Sequence, residues 1–136
     1  VVAGLDQRNG WTGGFPLAAV LVALGLCVLG NALVVWATAS NAFFSQIVRV
    51  QLERGHTVAT GGPYRFVRHP AYLGAIAYEL AVPILLASWW ALAISSLNAI
   101  LLVVRTALED RALRAELAGY EDYALQTRRR LIPGVW

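Results

Sequence analysis

Two long stretches without charge decide what this chain can fold into. Pro16 through Ala39 carries no charged side chain, and Ala71 through Val104 carries one, Glu79. At about 1.5 Å per residue, the first run would extend about 36 Å as a helix, enough to cross a hydrocarbon core of ~30 Å. The second would reach about 51 Å, too long for one crossing. Pro83 and the Ser88-Trp89-Trp90 cluster interrupt it, so it reads as a helical hairpin, with Trp89 and Trp90 as aromatic anchors at the far interface. The wider composition agrees: 136 residues suit one domain, and 58% hydrophobic with 14% charged is too apolar for a typical soluble one.

The fold expected is all-α: a polytopic integral membrane helical bundle with a cytoplasmic helical C-terminal cap. Residues 1–136 form one domain, with spans at about 16–39, 71–87 and 89–105 and the cap at 106–136. Val1–Phe15 reads as an interfacial loop. Gly25 and Gly30 in the first span would let another helix approach closely. Asn41 to Thr60 alternates Phe43, Phe44, Ile47 and Val50 with Gln46, Arg49, Glu53 and Arg54, the pattern of an amphipathic helix along the interface. Gly119 is placed to cap the charged helix that follows Arg105. The chain contains no Met, so Val1 is not read as the native start and earlier membrane segments are expected.

All 11 basic residues are arginine, and the net charge is +3. Their positions argue against nucleic acid as the partner. Arg49, Arg54, Arg65, Arg68, Arg105, Arg111, Arg114 and Arg128 to Arg130 fall on one side of the spans as drawn, and Arg8 on the other. The crowded side is then cytoplasmic. The single Cys27 lies inside an apolar run, which excludes a disulfide framework and a Cys-based metal site.

The crowded side also holds Gly61-Gly62-Pro63-Tyr64-Arg65-Phe66-Val67-Arg68-His69-Pro70-Ala71-Tyr72-Leu73-Gly74. Each proline pushes the residue before it out of the α region, so the backbone on both sides of Tyr64–Arg68 should be irregular. Pro70 fits the first turn of the following helix, where its missing N–H costs nothing. That holds Arg68 and His69 at a helix N-terminus, where carboxylates and other anions are favoured.

Gly62-Pro63-Tyr64-Arg65-x-x-Arg68-His69-Pro70-x-Tyr72-x-Gly74, followed by Arg105-x-x-x-Glu109-Asp110 and Gly119-Tyr120-x-x-Tyr123, resembles the isoprenylcysteine carboxyl methyltransferase family. Phospholipid methyltransferases are more distant relatives. The resemblance covers Asn41 to Trp136. It implies a multi-pass membrane enzyme that binds S-adenosylmethionine in a cytoplasm-facing pocket under a C-terminal lid. The expected activity is carboxyl O-methylation of a lipophilic acceptor, such as a prenylated cysteine, reached from the bilayer. The family commonly has Glu-Glu where this chain has Glu109-Asp110.

Carried onto this chain, the resemblance gives Arg68, Arg105 and Glu109 as catalytic residues. It gives Pro63, Tyr64, His69, Pro70, Tyr72, Leu73, Gly74 and Glu109 as cofactor-binding residues. The chemistry fits: the cofactor's carboxylate suits a helix N-terminus with Arg68 or His69, its cationic end suits Glu109, and its adenine suits Tyr64 or Tyr72. Arg105 and Glu109, at i and i+4, share a helix face. The plain structural account of that pair is a surface ion pair worth ~0.3–0.5 kcal/mol. Antiparallel packing of the hairpin should bring Arg68 near Arg105, with the acceptor's carboxylate between them.

His69 lacks partners for metal binding, His56 being the only other histidine. It is better placed to hydrogen-bond the cofactor or to cap the helix. Glu79, an acid at membrane depth, is either functional or structural glue to an arginine or Asn31. Arg128–Arg130 suit anionic membrane lipids or closure of the lid. Two other functions compete: an NADPH-dependent membrane reductase of related fold, which needs basic groups for a 2′-phosphate, and a non-catalytic membrane subunit.

Overall fold

The computed structural model describes residues 1–45, 53, 55–132 and 134–136, and among these it is helical with no strand. Five α-helices follow one another: α1 (Val2–Asn9), α2 (Leu17–Ala39), α3 (Pro70–Leu85), α4 (Trp89–Glu116) and α5 (Tyr120–Gln126), with a 3-10 turn at Gly62–Arg65. The expected amphipathic helix between Asn41 and Thr60 lies largely outside the described residues.

α2 starts where Pro16 fixes an extended residue before an uninterrupted apolar run. Its buried residues are Ala23, Gly30 and Ala37, spaced by seven and therefore on one face. That face of small side chains packs on α3, whose buried residues include Gly74 and Ala81. The two backbones meet at the glycines: a Cβ on Gly30 would lie 2.6 Å from the Gly74 carbonyl oxygen, and one on Gly74 would lie 2.5 Å from the Gly30 carbonyl oxygen. Gly30 thus permits the close approach expected of it, whereas Gly25 faces open space.

α3 and α4 form the expected hairpin. Pro70 is the first residue of α3, with His69 at the N-cap. Pro83 sits in the last turn, two residues before the helix ends. Ala87 turns in the left-handed region at φ 48°, and the Ser88 hydroxyl caps α4 by accepting from the Ala91 amide at 3.1 Å. α4 then runs unbroken to Glu116, through the junction at 105/106 where the sequence suggested a boundary. No Gly or Pro occurs between Trp89 and Leu117, and charge alone does not end a helix. The cap of α4 is Leu117; Gly119, at φ 81°, instead supplies the left-handed residue that turns the chain into α5.

Two helices, Leu17–Ala39 and Trp89–Glu116, are long and apolar enough to cross a membrane. Only 11% of each apolar window is buried, unlike the core helix of a soluble protein. α3 has 16 residues, about 24 Å, and falls short of a ~30 Å core on its own. Glu79 on α3 accepts from Asn98 Nδ2 on α4 at 2.7 Å, so among the described residues its partner is Asn98 and not Asn31 or an arginine.

The amino-terminal stretch is not simply a loop. α1 is too short to be stable alone, and it is held on the α3–α4 turn by specific contacts. Asp6 is buried and accepts from Thr12 Oγ1 at 2.6 Å and from the Ser88 hydroxyl; Gln7 Nε2 donates to the Leu86 carbonyl at 2.9 Å. Trp11 meets Trp90 edge-on, and Phe15 lies against Trp89.

Candidate functional site

At the other end of the hairpin several pieces converge: Asn41 to Ser45, His56 to Ala59, the motif loop from Tyr64 to His69, the start of α3, the polar end of α4, and α5. They enclose a partly open cavity of about 150 Å³. Its inner wall is aromatic, because Tyr64, Tyr120 and Tyr123 are buried in one cluster with Ala37, Leu117 and Ala124. Burial raises the phenol pKa of all three tyrosines, most strongly at Tyr120, where the Asp110 charge adds to it. The Tyr123 hydroxyl donates to the Tyr64 carbonyl at 2.8 Å, which ties α5 to the motif loop. Phe43 stacks on His56 with ring centroids 4.7 Å apart, and both reach the cavity. Burial lowers the His56 pKa.

Asp110 organises the wall behind the cavity. It is fully buried, and Arg68 grips it with two hydrogen bonds, Nε to Oδ1 at 2.7 Å and Nη2 to Oδ2 at 3.1 Å. Arg130 Nε donates at 2.9 Å, Arg114 Nε at 3.3 Å and the Tyr120 hydroxyl at 3.0 Å, with His69 Nε2 at 3.4 Å. Burial alone would push this carboxyl up. The hydrogen bonds from His69, Arg68 and Arg130 outweigh it and hold the group well below the usual carboxylate range. Arg68 Nη1 also donates to the Thr127 carbonyl at 2.7 Å, and the Arg68 and His69 amides donate to the Arg129 and Arg130 carbonyls at 2.9 Å. The two amides just ahead of α3 are therefore engaged by the tail.

Tyr64, Arg68, His69, Tyr72 and Glu109 all line the cavity, so the structure brings these five sequence-derived candidates together. Pro63 and Pro70 are buried framework residues on either side of them. Leu73 does not line the cavity, and Gly74 lies at the crossing with α2. Arg105 reaches the site through Tyr72: Arg105 Nε donates to the Tyr72 hydroxyl at 2.8 Å, which donates to Glu109 Oε2 at 2.6 Å. The Arg68 guanidinium is turned onto Asp110. Among the described residues, no group of three or more His, Cys, Asp or Glu could hold a metal ion.

Sequence reasoning named Asp110 and Tyr120 in the motif without giving either a role, and it gave none to Glu116, which lines the cavity seven residues after Glu109. The spacing of Arg105, Glu109 and Glu116 along one face of a helix was the available signal. Of Arg128–Arg130, which suit anionic lipid or closure of the lid, Arg130 turns inward to Asp110 and lies over the Trp136 ring, 4.9 Å from its centroid.

No curated protein matches the chain significantly. A profile of the isoprenylcysteine carboxyl methyltransferase (ICMT) family matches residues 22–115, from α2 through the motif loop and α3 almost to the end of α4. The match covers well over half the sequence and carries both halves of the cavity's polar wall: the chain belongs to the isoprenylcysteine carboxyl methyltransferase family.

Proposed function

We propose that this protein is a multi-pass membrane methyltransferase that uses S-adenosylmethionine to methylate a carboxylate on a lipophilic acceptor, such as a prenylated cysteine, reached from the bilayer. The observation that carries this reading is the charge of the cavity. Among the described residues it is lined by two carboxylates, Glu109 and Glu116, and its one lining arginine, Arg68, is turned onto Asp110. Such a lining favours a ligand with net positive charge and an aromatic part to lie on tyrosine. It disfavours the phosphates of NADPH, the rival cofactor.

The donor set fits S-adenosylmethionine. Glu109 and Glu116 would face its cationic end, His69 would hydrogen-bond it, and Tyr64 would receive the adenine. The cavity has room for part of the molecule, with the rest lying across the open side. When bound, S-adenosylmethionine supplies an electrophilic methyl group on a positively charged sulfur. The chain's own task is to align and to exclude water. Arg105 would hold the acceptor's carboxylate, which as an anion needs no general base. The apolar flanks of α2 and α4, exposed along their length, suit an acceptor whose tail stays in lipid. The arginine-rich end, and with it the cavity, would face the cytoplasm by the positive-inside rule.

Calorimetry on the detergent-solubilised protein tests this reading. S-adenosylhomocysteine should bind and NADPH should not. Binding of NADPH alone would favour the reductase, and binding of neither would favour a non-catalytic subunit.

A further inference from the structure

The Tyr72 hydroxyl occupies an unusual place: it stands between a guanidinium and a carboxylate that could otherwise meet directly. Arg105 and Glu109 are one helical turn apart on α4, the spacing at which opposite charges pair. Tyr72 comes from α3 and reaches across, with the Arg105 guanidinium carbon 5.7 Å from its ring centroid. The direction of both hydrogen bonds is fixed by chemistry. An arginine Nε can only donate, so the phenol oxygen must accept from it at 2.8 Å. Its single proton is then left for Glu109 Oε2, at 2.6 Å.

We propose that Tyr72 is a positioning residue, a neutral spacer that holds Arg105 and Glu109 at a set separation and keeps them from quenching each other. The proposal rests on the methyltransferase reading of the same cavity. In that reaction a lone pair of the acceptor carboxylate forms the new O–C bond as the S–CH3 bond breaks. The electron pair of the broken bond stays on sulfur, and no proton moves. A positive and a negative charge disappear together. The site must therefore present one carboxylate and one guanidinium at once, each oriented toward its own ligand. A direct Arg105–Glu109 pair would satisfy both groups with each other and orient neither. The phenol, anchored on a different helix, gives each group a fixed partner while leaving its charge in place. This assigns Tyr72 by its hydroxyl, where the sequence pointed to its ring as an adenine platform.

The test is Tyr72→Phe, which keeps the ring. Affinity for S-adenosylhomocysteine is measured by calorimetry, and initial rates with N-acetyl-S-farnesylcysteine as the carboxylate probe. Loss of a hydrogen bond to a charged group predicts a fall in kcat/KM for the acceptor of roughly ten- to hundredfold. S-adenosylhomocysteine affinity should fall as well, because Glu109, once free to pair with Arg105, no longer faces the cofactor's cationic end. In a cycle with Arg105→Lys, the two effects should be strongly non-additive. Unchanged kinetics, unchanged S-adenosylhomocysteine affinity, or additive effects would each overturn the assignment. Should Tyr72→Phe not fold, 3,5-difluorotyrosine at position 72 keeps the shape but ionises at lower pH. Its rate should fall as the phenol loses the proton it gives Glu109, and a pH profile superimposed on that of the wild type would overturn the proposal. A wild-type protein that neither binds S-adenosylhomocysteine nor methylates the probe refutes the methyltransferase reading itself, and this assignment with it.

Discussion

Arg68 and Asp110 are 42 residues apart in the chain, yet their side chains meet at 2.7 Å with both buried. One belongs to the loop before α3 and the other to the far end of α4, so this pair closes the hairpin at its polar end. Removing one partner leaves the other as an uncompensated buried charge. Asp110→Asn, which keeps the volume, should lower stability by about 3–5 kcal/mol. Arg68→Lys should cost less, since it keeps the charge and loses the two-pronged grip. Denaturant titration in detergent measures both; an Asp110→Asn variant of wild-type stability would make the pair incidental.

The glycine crossing predicts a sharp contrast within one helix. Gly30→Ala and Gly74→Ala each place a methyl against a carbonyl oxygen of the facing helix. Overpacking of this kind typically costs about 1–3 kcal/mol. Gly25→Ala meets nothing within 4 Å and should be neutral or stabilising by up to ~1 kcal/mol, from the better helix propensity of alanine. Thermal midpoints of the three variants decide it, and equal behaviour at positions 25 and 74 would contradict the crossing.

Tyr120 and Tyr123 make stability depend on pH on the alkaline side. Their folded pKa values are raised, whereas in the unfolded chain a tyrosine ionises near about 10. Below that pH both states are protonated and nothing changes. Above it the unfolded state binds fewer protons than the folded one, so stability falls as pH rises. Unfolding measured between pH 9 and 11 should show this slope, and Tyr120→Phe should reduce it. Phenolate absorbance rising in the folded protein as it does in free tyrosine would remove the basis for the prediction.

Topology can be read by cysteine labelling in a Cys27→Ser background. Ser88 is fully buried against Asp6, so the exposed Trp90 is the better reporter of the far turn, paired with the exposed Thr57. Trp90→Cys and Thr57→Cys should label from opposite faces of a sealed vesicle. Labelling from the same face would exclude the crossing arrangement proposed for α4.

Much of the fold was legible because uncharged length is a local property. Pro16–Ala39 became α2, Pro70 opened α3, and the tryptophans marked the turn. α1 was not legible, since what holds it is Ser88, 82 residues away from Asp6. The sequence ends the span at Arg105 and carries the hairpin arm on beyond the hydrocarbon as a charged helix, and α4 does run on to Glu116. At the site, the i, i+4 relation of Arg105 and Glu109 could be read from spacing. The phenol between them could not, because it comes from another helix. Asp110 was visible only as the second half of an acidic pair; its importance lies in Arg68, Tyr120 and Arg130 arriving from three other segments.

Gly74 lies two residues from Tyr72 and four from Pro70 on one rigid helix. Any shift that relieves a crowded crossing with α2 is therefore handed on to the hydroxyl between Arg105 and Glu109. A saturation scan scored only on methylation would rank Gly30 and Gly74 with the charged residues of the cavity, although neither has a side chain to offer a ligand. The same coupling gives an engineer a handle. Trimming Val34, whose Cγ2 would lie 3.0 Å from a Cβ on Gly74, would adjust the reacting groups from a position outside the cavity lining.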